Sequence, residues 1–283
     1  MKFKFIHIVL AFLFATLSLS ASTQLIDSLE SELENTSGKD RIEILNELAT
    51  IYYKNDNKEK SLDYANRALK LARETGNKLQ EAFAYRTIGK AHYTSGEYEM
   101  AINYFNFAYR LFEELNAKEE IAKSYSNFGS SYLQQKKYDK AMYFYKKALK
   151  LREELNDYDG MINIYLNLGL LYLNMNNFQK AVNLYKDALK IAKQHDNKKE
   201  IAQINNFIAK GYYRWDKYNK ASEYALEELK FWESQGNKEK IGAVVNFIGK
   251  LYYDWKNYEK AIEYYIRYLN IAQDLGDSVS ISK

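Results

Sequence analysis

Side chains that commonly carry catalysis or bind metals are sparse in this chain. The sequence contains 3 histidines and 0 cysteines, which excludes a thiolate zinc site, a cysteine nucleophile and a disulfide scaffold. His92 stands in a column otherwise filled by tyrosine and His195 stands beside a predicted helix end, so they do not form a metal pair or a triad. Adjacent acids such as Glu113 and Glu114 point in different directions on a helix. We therefore expect no catalytic residue, no metal site and no cofactor.

The charge balance argues against nucleic acid as a partner. Lys and Arg number 41 against 37 Asp and Glu, a formal net charge of +4. A basic column that includes Lys70, Arg110 and Lys150 has acids close by, so we interpret it as a solvated convex face. The chain also has 27 Tyr and 0 Pro. A sequence without the residue that usually stops helices favours helices joined by short turns.

The elements that position these side chains repeat every forty residues. Each unit holds two amphipathic stretches, called helix A and helix B; in the third unit they cover residues 121–135 and 138–155. Such a period predicts a stack of helix hairpins. The middle of helix A is marked by Leu48-Ala49, Ile88-Gly89, Phe128-Gly129, Leu168-Gly169, Ile208-Ala209 and Ile248-Gly249. The end of helix B is predicted by residues that tolerate left-handed backbone: Gly76, Asn116, Asn156, Asp196, Gly236 and Gly276.

With Tyr125, Phe128-Gly129, Tyr132, Ala141, Tyr145 and Ala148, the third unit resembles the tetratricopeptide repeat family. The family period is about 34 residues, and its proline column holds helix formers such as Glu113 here, so the helices should be longer. The resemblance implies an all-α fold, a right-handed α-solenoid of six tetratricopeptide-like repeats over residues 39–283. The repeat units are about 39–76, 77–116, 117–156, 157–196, 197–236 and 237–276, followed by a short tail.

In the family, the helix A face opposite the apolar columns lines a concave groove that binds peptides. Here that face carries asparagines, which bond a peptide backbone both ways, and tyrosines with a flat surface and polar tip. From the second unit onward it shows several cations and one acid, Asp254, so the partner is expected to be a protein or peptide, with some preference for acidic residues or a C-terminal carboxylate. The candidate groove residues are Arg86, Lys90, Tyr93, Lys123, Asn127, Asn167, Asn206, Lys210, Tyr213, Asn246 and Lys250. Asn163 and Asn167 stand where the family's carboxylate clamp needs Lys and Arg, so no clamp is predicted.

Residues 1–22 have the pattern of a signal peptide. Lys2 and Lys4 precede an apolar run, and small residues follow it. The apolar run is short for a full membrane span, and no later stretch is apolar enough to cross a membrane. We therefore expect export to the periplasm or secretion, with an uncleaved N-terminal anchor as the alternative.

The two ends of the repeat array differ. Residues 23–38 are expected to form a capping helix, with Ile26, Leu29 and Leu33 on its apolar side and Glu30 on its polar side. Helix B of the sixth unit is apolar and lacks a polar cap, so we expect either self-association through this end or a longer architecture.

The leading hypothesis is a non-enzymatic exported scaffold that binds a protein or peptide in the helix A groove. The alternative is the periplasmic sensor portion of a signal-transduction protein, of the histidine-kinase or transcription-regulator type, whose output domain is absent from this chain.

Overall fold

The computed structural model describes residues 23–276, which contain thirteen helices and no strand. The predicted all-α fold of helix hairpins is therefore confirmed, while the predicted signal peptide and the C-terminal tail at 277–283 lie outside the described residues. The helices are α1 (23–35), α2 (Gly38–Lys54), α3 (Lys58–Glu74), α4 (Lys78–Thr94), α5 (Tyr98–Glu114), α6 (Lys118–Gln134), α7 (Tyr138–Leu155), α8 (Tyr158–Asn174), α9 (Phe178–Gln194), α10 (Lys198–Arg214), α11 (Tyr218–Ser234), α12 (Lys238–Asp254) and α13 (Tyr258–Leu275).

The described residues form two compact units, 23–157 and 158–276. The first, here called the N-unit, contains α1 and the hairpins α2–α3, α4–α5 and α6–α7. The second, the C-unit, contains the hairpins α8–α9, α10–α11 and α12–α13. The first helix of each hairpin is helix A, and it begins about three residues earlier than the sequence predicted. None of the described helices has the length and apolar character that a membrane crossing requires.

Left-handed residues end the helices at intervals of twenty residues. All six predicted helix B ends have positive φ, from 48° at Asp196 to 72° at Gly276, so this prediction is confirmed. Helix A ends in the same way, and the sequence analysis did not predict this; its residues are Asp56, Gly96, Lys136, Asn176, Asp216 and Lys256. The left-handed residue turns the chain so that the backbone N–H of the next residue donates a hydrogen bond to a carbonyl of the helix that has just ended. The Asn57 N–H, for example, donates to the Tyr52 carbonyl at 2.9 Å.

Asparagine begins many of the helices. The Asn57 side chain accepts a hydrogen bond from the Lys60 backbone N–H at 3.1 Å, which satisfies a donor that the helix leaves free. The same contact recurs at Asn77, Asn177, Asn197, Asn237 and Asn257. A left-handed residue followed by an asparagine cap thus stops one helix and starts the next, without proline.

Four of the six hairpins close around a glycine of helix A and an aromatic ring of helix B, as the columns predicted. Tyr145 of α7 is fully buried against Gly129 of α6, and a Cβ added at Gly129 would lie 2.6 Å from two carbons of the Tyr145 ring. Gly89 with Phe105 and Gly249 with Tyr265 form equivalent contacts. Close approach of the helices therefore depends on the missing side chain.

The two ends of the described chain expose different surfaces. Leu29 and Leu33 of α1 are buried in the N-unit. Glu30, expected on the polar side, instead accepts hydrogen bonds from the Tyr64 hydroxyl at 2.7 Å and the Tyr52 hydroxyl at 2.9 Å, which lowers its pKa. At the other end, α13 leaves apolar side chains exposed, namely Ile262, Ile266 and Leu269.

Candidate binding surface on the A helices

The eleven predicted groove residues all lie on A helices, and none of them is buried. Five belong to α4 and α6 of the N-unit and six to α8, α10 and α12 of the C-unit. Four are exposed: Lys123, Lys210, Asn246 and Lys250. Seven are half-buried: Arg86, Lys90, Tyr93, Asn127, Asn167, Asn206 and Tyr213. This set is called the A-helix surface below, separately in each unit.

In the N-unit, the A-helix surface contains an acid that the sequence analysis missed. Glu120, in the first turn of α6, forms ion pairs with Arg86 of α4 and with Lys123, whose Nζ lies 2.7 Å from Glu120 Oε1. The Arg86 guanidinium also lies over the Phe83 ring, 4.9 Å from its centroid. Two of the predicted cations thus share an acid on the same surface, so the expectation of a single acid on this face, Asp254, is wrong.

Lys90 lies among like charges on this surface. Burial is the main cause that lowers its pKa from 10.5 to about 8, and repulsion from Arg86, Lys54 and Lys123 lowers it further against the attraction of Glu120. The Lys90 Nζ lies 5.7 Å from the centroid of the Tyr53 ring. The basic cluster, defined as Lys54, Arg86, Lys90 and Lys123, therefore retains positive charge that Glu120 does not neutralise.

Tyr93 lies next along α4. Burial raises the pKa of its hydroxyl, while a hydrogen bond with Gln134 acts in the opposite direction. Its ring packs edge-on against Tyr98 at a centroid distance of 5.6 Å. The N-unit therefore offers a charged cluster beside flat aromatic rings with polar tips, a combination suited to a polypeptide ligand.

In the C-unit, the A-helix surface opens into a cavity of about 450 Å³ lined by α8, α10, α11 and α12. Two predicted residues, Asn206 and Lys210, line it. Lys250 and Tyr213, two other predicted residues, contact each other: the Lys250 Nζ lies 5.7 Å from the Tyr213 ring centroid. The Tyr213 hydroxyl in turn donates a hydrogen bond to Asp254. Further lining residues are Asn163, Leu166, Glu200, Gln203, Ile204, Phe207, Glu228, Trp232, Lys240, Ala243, Val244 and Phe247.

Glu228 is the buried acid of this cavity, with 5% of its surface exposed. Its Oε2 accepts a hydrogen bond from Asn206 Nδ2 at 2.7 Å, and its Oε1 accepts one from Trp232 Nε1 at 3.3 Å. Burial raises the pKa of the Glu228 carboxyl, although these hydrogen bonds and the charges of Lys210 and Lys240 act in the opposite direction. Glu228 was not among the predicted site residues and stood out in the sequence only because it replaces an alanine of the repeat column. An acid in a column of buried alanines was the available signal.

Both histidines of the described residues take part in packing. The His92 ring stacks on Tyr104 at a centroid distance of 5.2 Å and its Nδ1 contacts Glu97. The His195 ring lies 4.2 Å from the Tyr158 ring centroid, just after α9. Within residues 23–276, no cluster of three or more histidines or acids has a geometry that would hold a metal ion.

Solved structures with a similar fold include several repeat proteins. A signal transduction ATPase with numerous domains, with a tetratricopeptide repeat sensor, from Pyrococcus horikoshii superposes with a TM-score of 0.73 at 22% identity, over 86% of this chain and 37% of that one. Aspartyl phosphate phosphatase F from Bacillus subtilis gives 0.67 at 17% identity, over 95% and 71%. A Rap protein complexed with competence and sporulation factor gives 0.65 at 17% identity, over 99% and 79%. At these identities the likeness shows the fold.

Sequence comparison identifies the family. No curated protein matches the chain in sequence. A sequence model described as tetratricopeptide repeat matches residues 40–114 and 120–194, and a second model of the same description matches residues 244–275. Since the first model alone covers more than half of the chain, the protein belongs to the tetratricopeptide repeat family.

Proposed function

We propose that this protein is a non-enzymatic scaffold that binds a protein or peptide on its A-helix surface, with a preference for acidic residues in the N-unit. The observation that carries this proposal is the basic cluster, in which half-buried Lys90 holds a pKa of about 8 among like charges. A carboxylate placed beside Lys90 would offset the repulsion from Arg86 and Lys123. The similar Rap protein is seen in complex with competence and sporulation factor, which supports a polypeptide ligand.

The test is binding of labelled acidic peptides at neutral pH, measured by fluorescence anisotropy. Lys90→Gln combined with Lys123→Gln should weaken binding by at least about tenfold, since a charge-assisted contact contributes more than 1.5 kcal/mol. The matched control, Lys70→Gln, removes an exposed lysine from a B helix and should leave affinity unchanged. Equal binding by both variants, or by basic peptides of the same length, would refute the proposed preference.

The absence of enzymatic activity belongs to the same proposal. The two histidines within residues 23–276 are occupied in packing, His92 against Tyr104 and His195 against Tyr158. One structural neighbour is named a phosphatase, so release of phosphate from an aspartyl phosphate substrate is the activity to assay. Turnover above background by the purified protein would contradict this part of the proposal.

Export is the second element of the proposal, and it rests on the signal-peptide pattern of residues 1–22. A fusion of these residues to a reporter that is active only outside the cytoplasm should be active. Changing Lys2 and Lys4 to glutamate should abolish that activity. A reporter that stays inactive in the unchanged fusion would refute export.

Two finer assignments follow from the repeat geometry. We assign the chain to a long-repeat form of the family, because its A helices begin forty residues apart, at Gly38, Lys78 and Lys118. We also propose self-association through the exposed apolar residues of α13. Ile262→Glu should then lower the mass measured by sedimentation at high concentration, and an unchanged mass would refute it.

A sensor portion of a signalling protein is the second candidate function. It is favoured by the neighbour from Pyrococcus horikoshii, whose repeat region is described as a sensor. An in-frame continuation of the coding sequence after Lys283 into a membrane helix and an output domain would support it, and a stop codon followed by an unrelated gene would refute it.

A further inference from the structure

We propose that the C-unit cavity binds a cationic group, the alkylammonium of a lysine or the guanidinium of an arginine in a bound polypeptide, with Glu228 as its counter-charge. The inference assumes a polypeptide ligand on the A-helix surface, as proposed above, but it uses none of the basic cluster. Together the two proposals assign acidic ligand side chains to the N-unit and basic ones to the C-unit.

The cavity has the size and wall chemistry for such a side chain. Its volume of about 450 Å³ lies within the ordinary range of ligand pockets. Leu166, Ile204 and Val244 provide apolar contact for an aliphatic stem, while Phe207, Trp232 and Phe247 provide aromatic faces. Cations bind favourably over aromatic faces, most of all over tryptophan, and an arginine combines such a stem with such a cation.

The buried acid of the cavity has no counter-ion in contact with it. Among residues 23–276 no ion pair is formed by Glu228, whose two oxygens accept only from the neutral donors Asn206 and Trp232. A buried carboxylate without a cation is costly, and an entering cation would offset that cost. Half-buried Glu200 lines the same cavity, so the entering group would gain a second carboxylate.

The two lysines of the cavity wall do not favour an anion. Lys210 and Lys240 are both exposed, so their ammonium groups stay hydrated. The Lys240 Nζ lies over the Trp232 ring, 6.0 Å from its centroid. An ammonium group can therefore approach the Trp232 face, and a flexible exposed lysine can leave it for solvent when a ligand enters.

The test compares two capped pentapeptides that differ only in charge, Gly-Gly-Arg-Gly-Gly and its citrulline counterpart. Binding to the full chain is followed by NMR through the indole N–H signal of Trp232. The arginine peptide should shift that signal and bind at least about tenfold tighter than the citrulline peptide. Free agmatine distinguishes the sources of the cation: affinity equal to that of the peptide indicates a free amine, and weaker affinity indicates a polypeptide side chain.

Variants of Glu228 complete the test. Glu228→Gln keeps the shape of the side chain and removes its charge, and Glu228→Ala restores the residue found at Ala108, Ala148 and Ala188, so it should fold. Both should reduce arginine-peptide affinity by at least about tenfold, while the exposed neighbour change Glu227→Gln should not. Equal binding of the citrulline peptide, full affinity in both Glu228 variants, or no binding to the wild type would overturn the inference. Lys90→Gln should leave this binding intact even if the acidic-peptide proposal fails.

Discussion

Replacing Lys90 by methionine should stabilise the protein at neutral pH. Burial and neighbouring cations lower the pKa of Lys90 from 10.5 to about 8, and each pKa unit corresponds to about 1.4 kcal/mol. The charged form therefore costs the folded state up to about 3 kcal/mol below pH 8. Because the side chain is only half-buried, we expect Lys90→Met to raise the free energy of unfolding by about 1.5–3 kcal/mol.

The pH dependence tests the cause of this gain. Between pH 8 and 10.5 the unfolded chain binds a proton at Lys90 that the folded chain has lost, so the stability of the wild type rises with pH relative to that of the methionine variant. The advantage of the variant should shrink to about 1.4 kcal/mol or less near pH 9.5. The groups facing Lys90 are Lys54 and Tyr53 of α2, Arg86 of α4, and Glu120 and Lys123 of α6.

The difference in free energy of unfolding is measured by urea unfolding of the wild type and Lys90→Met at pH 7 and pH 9.5, with circular dichroism as the signal. Lys250→Met is the matched control, since Lys250 occupies the corresponding position of α12 and is exposed; its change should stay within about 0.5 kcal/mol. A Lys90→Met variant less stable than the wild type at pH 7, or an advantage that does not change with pH, would refute the reasoning.

Three further predictions concern the repeat framework, each measured as a change in the urea midpoint. Gly129→Ala should lower the free energy of unfolding by about 1–3 kcal/mol, because the new methyl group would clash with the buried Tyr145 ring. An unchanged urea midpoint would show that the two helices can move apart to accept the methyl group. Lys136→Gly should raise the free energy of unfolding by about 1 kcal/mol, since Lys136 has a φ of 58°. The reciprocal change Gly96→Lys at the equivalent turn should lower it by as much. Changes of the same sign in both variants would contradict this account. Lys217→Asn should gain about 0.5–1 kcal/mol by adding the missing cap of α11, and no gain would show that the backbone there resists capping.

The helices were predictable because their signals recur with the repeat. Gly76 and Asn116 mark the ends of B helices through a backbone preference that needs no tertiary context. Lys136 and Lys256 have no such preference, yet both adopt positive φ. The packing of the flanking helices fixes these turns, and sequence preference alone could not have shown it. Asp56 and Gly96 were visible signals for the same turn in helix A.

The face that carries the candidate site was predictable, but its charge pairing was not. Helical periodicity placed Arg86 and Lys123 on one surface, and they share Glu120 there. Acids in a first turn are ordinary partners of the helix dipole, so Glu120 gave no sign of reaching toward α4. Which side chains meet between adjacent hairpins depends on packing geometry, which a periodic pattern does not specify.

Under the proposed function, one departure from the repeat pattern sets the charge that the C-unit prefers. Ala108, Ala148 and Ala188 are buried in one column, so a small apolar side chain at this position satisfies the packing of the fold. Glu228 takes the same place in α11 and brings a carboxylate to the cavity wall, where Asn206 holds it at 2.7 Å. In that proposal the fold supplies a common frame, and the change from alanine to Glu228 makes a basic ligand side chain the expected one in the C-unit.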